Sequence, residues 1–171
     1  MEIELITPSI PRRMACWLYE GMLVFGVVFV AGCLFFGAGT LLGSTNVTQS
    51  DLASSVALKA YLFAVIGIYF VWLWAKGQTL AMKTWGITVL DLSGNHITQS
   101  RALLRYALSW LWFLPALALI SAFKFSSTES MLIVAAWVAV WAFSSRLHPS
   151  KQFWHDALAG TRLSFKPNVS R

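Results

Sequence analysis

The 171 residues are 57% hydrophobic and only 12% charged, where a soluble domain carries about 25% charged residues. Such a chain has too few polar residues to cover a soluble surface, so the composition points to an integral membrane protein with one compact membrane domain. The net charge of +6 does not call for nucleic acid, because cationic residues gather at the cytoplasmic ends of membrane spans.

The first apolar run extends from about Met14 to Leu42, with Pro11 ahead of it suiting a helix start. It is too long for the core of a cleaved signal peptide. The second runs from about Leu52 to Ala75, with Ser50 and Asp51 as N-cap candidates. Lys59 can snorkel to one interface, and Trp72 and Trp74 mark the other. The central connection follows. Gly77 to Trp85 reads as a short amphipathic element, and Ile87-Thr88-Val89-Leu90-Asp91 as a β-branched strand. Leu92-Ser93-Gly94-Asn95 supplies a turn, and His96-Ile97-Thr98 a second short strand, so the pattern predicts a β-hairpin. An isolated hairpin is marginal, so it needs the membrane surface or the C-terminal tail to lean on. The third apolar run spans about Leu103 to Phe123, kinked at Pro115. The fourth spans about Met131 to Ser145, with Ser126-Ser127-Thr128-Glu129 as a capping box before it. It is short and reads as a span or as a tilted or re-entrant segment. The predicted class is all-α and membrane-embedded: four transmembrane helices, with a small cytoplasmic β-hairpin between the second and third.

The loops orient these spans. Residues 43–58 hold no Lys or Arg, whereas Arg12, Arg13, Lys76, Lys83, Arg101, Arg105, Arg146, Lys151, Arg162, Lys166 and Arg171 lie in the N-terminal, central and C-terminal segments. Both termini and the central connection are therefore expected in the cytoplasm, with Asn46 outside.

Glu20 is the one acidic residue between Met14 and Leu42. A charged carboxylate inside a span costs about 2.5–3.5 kcal/mol on insertion scales. A cation, a wet cavity or a bound proton must offset that cost. Arg13 stands seven positions earlier, on the same helix face about 10 Å away. Two readings follow: a proton or cation site, or a structural partner for a neighbouring cation. Asp156 falls after the last span and can fold back onto Arg13, Arg101 or Arg105. It also reads as an interfacial helix-end or surface ion pair. His155 beside it could relay protons, or sit at the wet interface. Arg13, Glu20 and Asp156 are expected to converge near the cytoplasmic end, with Arg101 or Arg105 as supporting cations. Cys16 and Cys33 are about 25 Å apart along one helix, beyond disulfide reach. The scattered His96, His148 and His155 give no metal-ligand spacing, so neither a metal nor another cofactor is expected.

These residues resemble the RDD family of small bacterial membrane proteins, named for one arginine and two aspartates. The pieces are Pro11-Arg12-Arg13 with Tyr19-Glu20, Gly77-Gln78-Thr79-Leu80-Ala81-Met82-Lys83-Thr84-Trp85-Gly86-Ile87-Thr88-Val89, Gly94, Arg101-Ala102-Leu103-Leu104-Arg105, and His155-Asp156-Ala157-Leu158-Ala159-Gly160-Thr161. The resemblance implies that Arg13, Glu20 and Asp156 hold the three named places, with glutamate in place of the first aspartate. It implies a multi-pass protein of the bacterial inner membrane that transports an unidentified ligand, with sodium/proton exchange proposed for some members. No P-loop, GxGxxG, GxSxG or HExxH occurs, so an enzyme is not expected. Two function classes remain: a small transporter using Glu20, or a membrane scaffold or assembly factor in which the charges only hold structure. Four spans make a thin bundle, so the transport reading implies a homo-oligomer or a partner membrane protein.

Overall fold

The computed structural model describes residues 6–41, 55–123, 125–147 and 152–165. Helix α1 (Ile10–Leu41) and helix α2 (Val56–Ala75) are the first two spans. At 32 residues α1 is about 48 Å long, against about 30 Å of hydrocarbon. Only one stripe of it faces protein: Arg13, Cys16, Glu20 and Ala31 are buried, while Met22, Phe25, Phe29 and Leu34 point outward. In water that outer face would aggregate; in a bilayer it is solvated. Ser55 caps α2, accepting from the Leu58 amide at 3.2 Å. The Ser50 and Asp51 candidates lie outside the described residues, as does Asn46.

Helix α3 (Leu80–Trp85) and strand β1 (Ile87–Asp91) form the central connection. Helix α4 (Gln99–Ser109), a 3-10 turn (Trp110–Trp112) and helix α5 (Leu114–Ala122) together make the third candidate span. The break sits where Pro115 predicts it. Proline has no N–H for the Leu111 carbonyl, and the Trp137 indole N–H donates to that oxygen instead, at 3.4 Å. Tyr106 of α4 crosses α2 at Gly67, where a Cβ would come 3.1 Å from the ring. Its hydroxyl donates to the Phe63 carbonyl at 2.9 Å.

Helix α6 (Ser127–Ser144) runs on into a 3-10 turn (Ser145–Leu147), which gives the fourth segment 21 residues, enough to cross a membrane. Its capping box is formed as the sequence predicts, with Ser126 N–H donating to the Glu129 carboxylate at 2.8 Å and Glu129 N–H donating back to the Ser126 hydroxyl at 3.3 Å. The short helix α7 (Trp154–Leu158) and strand β2 (Thr161–Phe165) close the described chain.

The predicted hairpin is corrected. Strand β1 is present, but its partner is β2, antiparallel, with Val89 opposite Leu163 and Asp91 opposite Thr161. The turn after β1 does form, with Gly94 at φ 87°. His96-Ile97-Thr98 then turns away from β1: Ile97 is buried in the core and Thr98 caps α4. β2 offers β1 five paired positions, whereas Thr98 of the nearer segment is taken up in capping α4. Ile6 bridges to Phe165, and Gln152 Nε2 reaches Thr7 Oγ1 at 3.2 Å while its Oε1 accepts from Leu163 N–H at 3.0 Å. The N-terminal, central and C-terminal segments thus meet at one end of the bundle.

Candidate functional site

Arg13, Cys16 and Glu20 are spaced by three and four residues, so they lie on one face of α1. That face forms part of the wall of a cavity of about 180 Å³ at the sheet-bearing end of the bundle. Phe70 and Trp74 of α2, Met82 of α3, Arg105 of α4, Trp112, Phe153 and His155 complete most of the lining. The space is therefore mainly aromatic, with two guanidinium groups, one carboxylate and one imidazole on its wall.

Glu20 is 7% exposed. Among the described residues its hydrogen-bond partners are neutral hydroxyls. Tyr69 of α2 donates to Oε1 at 2.7 Å, and Thr79 donates to Oε2. Thr79 holds this place because it is also the N-cap of α3, accepting from the Met82 amide at 3.1 Å. The residues before it fix the loop. Gly77 is at φ 95°, and a Cβ there would come 2.5 Å from the His96 ring, so glycine is required. Gln78 Nε2 donates to the Ile87 carbonyl and the Thr88 hydroxyl, both at 2.8 Å, which ties the loop to β1. The Gly-Gln-Thr stretch is thus a device that sets one hydroxyl against Glu20.

Asp156 is held differently. It is 0% exposed, and its Oδ1 takes Arg105 Nε at 2.7 Å and His155 Nε2 at 3.1 Å. The Trp112 indole N–H donates to His155 Nδ1 at 2.8 Å. With Nδ1 accepting and Nε2 facing a carboxylate, the ring has the hydrogen-bond pattern of a neutral imidazole protonated at Nε2. Burial alone would push the Asp156 carboxyl up, but the Arg105 and His155 interactions outweigh it, and the group stays well below the usual carboxylate range. Arg105 also stacks over Trp74, 4.1 Å from the ring centroid.

The expected convergence therefore takes a more specific form. Arg13, Glu20, Arg105 and His155 share the cavity wall, and Asp156 stands behind Arg105 and His155 rather than on that wall. Arg13 is 5% exposed, lies over the Phe153 ring at 4.4 Å and feels the charge of Asp156. Arg101 is not brought in: its side chain is half exposed and reaches Asp91 at 3.7 Å, outside the cluster. His155 has both ring nitrogens engaged. Trp74, read from sequence as an interfacial marker, is buried on the cavity wall instead. The sequence alone does not mark Tyr69 or Thr79 as partners of Glu20; the signal it carries is the place of Thr79 just before a short amphipathic helix. No group of three or more His, Cys, Asp or Glu that could hold a metal occurs among the described residues.

A model of the RDD family matches residues 7–160. The chain belongs to the RDD family. No curated protein and no solved structure matches it. The matched stretch includes Arg13, Glu20 and Asp156. In this RDD protein, among the described residues, Asp156 takes Arg105 and His155 while Glu20 takes two hydroxyls.

Proposed function

We propose that this RDD protein moves a small solute or ion across the inner membrane of a bacterium, with Glu20 changing its protonation during the cycle. The observation that carries the proposal is the setting of Glu20: a carboxylate in a membrane helix, on the wall of a cavity, held by neutral hydroxyls from two other segments. A carboxylate locked to a guanidinium cannot readily take up a proton. One held by hydroxyls can, since each hydroxyl can rotate to accept as well as donate. Cation/proton exchange is one form of this activity. The gathering of the N-terminal, central and C-terminal segments at one end supports a topology with both termini on the same side, and their cationic residues favour the cytoplasm.

The test is proton flux in proteoliposomes, read with a pH-sensitive dye against a panel of monovalent cations and small carboxylates. Wild type should move protons with at least one of them, and Glu20→Gln should abolish this while the protein still inserts and melts cooperatively. Glu20→Asp should keep part of the flux. Intact flux in Glu20→Gln, or none in wild type with any solute, favours the scaffold reading. That second reading has its own support in the buried Arg105–Asp156–His155–Trp112 chain, which ties α4 to the C-terminal segment.

A further inference from the structure

We infer that the groove between α2 and α4 holds one acyl chain of an anionic phospholipid, with the headgroup phosphate at Lys76. The groove has a volume of about 720 Å³. Small residues make it: Ala64 and Gly67 hollow the α2 wall, and Ala107 the α4 wall. Its floor is fixed, because the Tyr106 ring crosses Gly67 and the Tyr106 hydroxyl donates to the Phe63 carbonyl at 2.9 Å. Its sides are apolar and open, with Ile68, Trp72 and Leu103 each more than half exposed. From Phe63 to Trp72 the α2 wall is about 13 Å long, against about 15 Å of hydrocarbon in one leaflet. The charge stands at one end only. Trp72 and Gln99 line the mouth, at the sheet-bearing end of the bundle. One turn beyond Trp72, the Lys76 ammonium lies 3.7 Å from the Trp72 ring centroid. No acidic residue lines the groove, and Lys76 meets no carboxylate among the described residues. An apolar slot one leaflet deep with a cation on its rim is complementary to an apolar tail below a negative head. A span from a second copy is a poorer match. The acidic residues of the described spans are Glu20, which is buried, and Glu129, at the opposite end, so neither can meet Lys76.

The groove stands apart from Glu20 and its cavity, so lipid binding and transport can each fail without the other. The experiment is native mass spectrometry of the full chain released from nanodiscs made of equal phosphatidylglycerol and phosphatidylcholine. One phosphatidylglycerol per chain should be retained, in about five-fold preference to phosphatidylcholine. Lys76→Gln should abolish that preference with an unchanged melting transition. Lys83→Gln removes a cation of the same end that does not line the groove, and should leave the preference intact. Ala64→Phe with Ala107→Phe fills the groove from both walls at exposed positions, and should remove most of the retention of both lipids. Lys76→Gln carries the test if that pair does not fold. Equal retention of the two lipids by wild type, an unchanged preference in Lys76→Gln, or an equal loss in Lys83→Gln would each overturn the proposal. So would unchanged retention in the filled variant, or a wild-type dimer that the filled variant disperses, which would give the groove to a second copy.

Discussion

Glu20 and Asp156 are both buried carboxylates at the same end of the bundle, yet their surroundings assign them different work. Asp156 is charge-paired at short range to Arg105 and braced by His155, which Trp112 holds in turn. Glu20, on α1, has two hydroxyl donors among the described residues, one from α2 and one from the cap of α3. A buried ion pair is hard to open, because removing one partner leaves an uncompensated charge. A carboxylate among hydroxyls has no such lock. The comparison teaches that an acidic residue in a membrane protein is read from its partners, and only then from its depth.

The largest effect is expected where the lock is broken. Arg105→Ala leaves Asp156 buried and lifts the cation off Trp74, and should cost about 3–5 kcal/mol, lowering the detergent melting temperature by roughly 10 °C or more. Asp156→Asn should cost nearly as much. The paired variant Arg105→Met with Asp156→Leu should recover a large part of the loss, since well-packed apolar residues often replace a buried pair without penalty. If Arg105→Ala melts like wild type, the lock is not structural and the contrast with Glu20 fails.

The pH dependence of stability tests the Asp156 lock. The Asp156 carboxyl is depressed in the folded protein, whereas in the unfolded chain an aspartate titrates near about 3.9. Its contribution to stability is therefore complete above that value and is lost as pH falls through the lower, folded value. Melting temperature from pH about 5 to 7 should carry no Asp156 signature, and a decline below pH about 4 should be flattened in Asp156→Asn. A midpoint for the Asp156-dependent loss at pH 5 or above would contradict the pairing.

Around Glu20 the expected effects are smaller. Thr79→Val removes an N-cap and a donor to the carboxylate, at about 2 kcal/mol together; Tyr69→Phe removes one donor, at about 1.5 kcal/mol. In a Glu20→Gln background both losses should shrink, because the charge they serve is gone. A double-mutant cycle by thermal melting measures that coupling. Additive losses would mean that the hydroxyls act on the helix ends and not on Glu20.

These partners mark the limit of what the sequence carries. The spans and the capping box at Ser126 are legible because they depend on residues near one another in the chain. Pro115 is legible for the same reason: a missing N–H acts one turn away. The strand partner of β1 is not, since the β-branched run Ile87–Asp91 can pair with His96-Ile97-Thr98 nearby or with Thr161–Phe165 far along the chain. Choosing between them requires knowing that Thr98 is needed as a cap. Arg101 and Arg105 look equivalent in the sequence, and only the packing of α4 against α7 separates them. Trp74 reads as an interface anchor by composition, but burial beneath Arg105 makes it a wall of the cavity.

The smallest expected effect tests whether charge alone explains anything in this cluster. Arg101 and Arg105 are four residues apart on α4, and each has an aspartate partner. Arg101 meets Asp91 at 3.7 Å with its side chain half exposed; Arg105 meets Asp156 at 2.7 Å with both groups buried. An exposed pair of that length contributes about 0–1 kcal/mol and is screened by salt. Arg101→Ala should therefore leave the melting temperature within about 2 °C of wild type and leave proton flux unchanged, while Arg105→Ala changes the former sharply. Both measurements belong in the same nanodisc or liposome preparation. A loss at Arg101 as large as that at Arg105 would show that the cations at the sheet-bearing end act as a field and not through individual partners, and the distinction between Asp156 and Glu20 would then need to be redrawn around net charge.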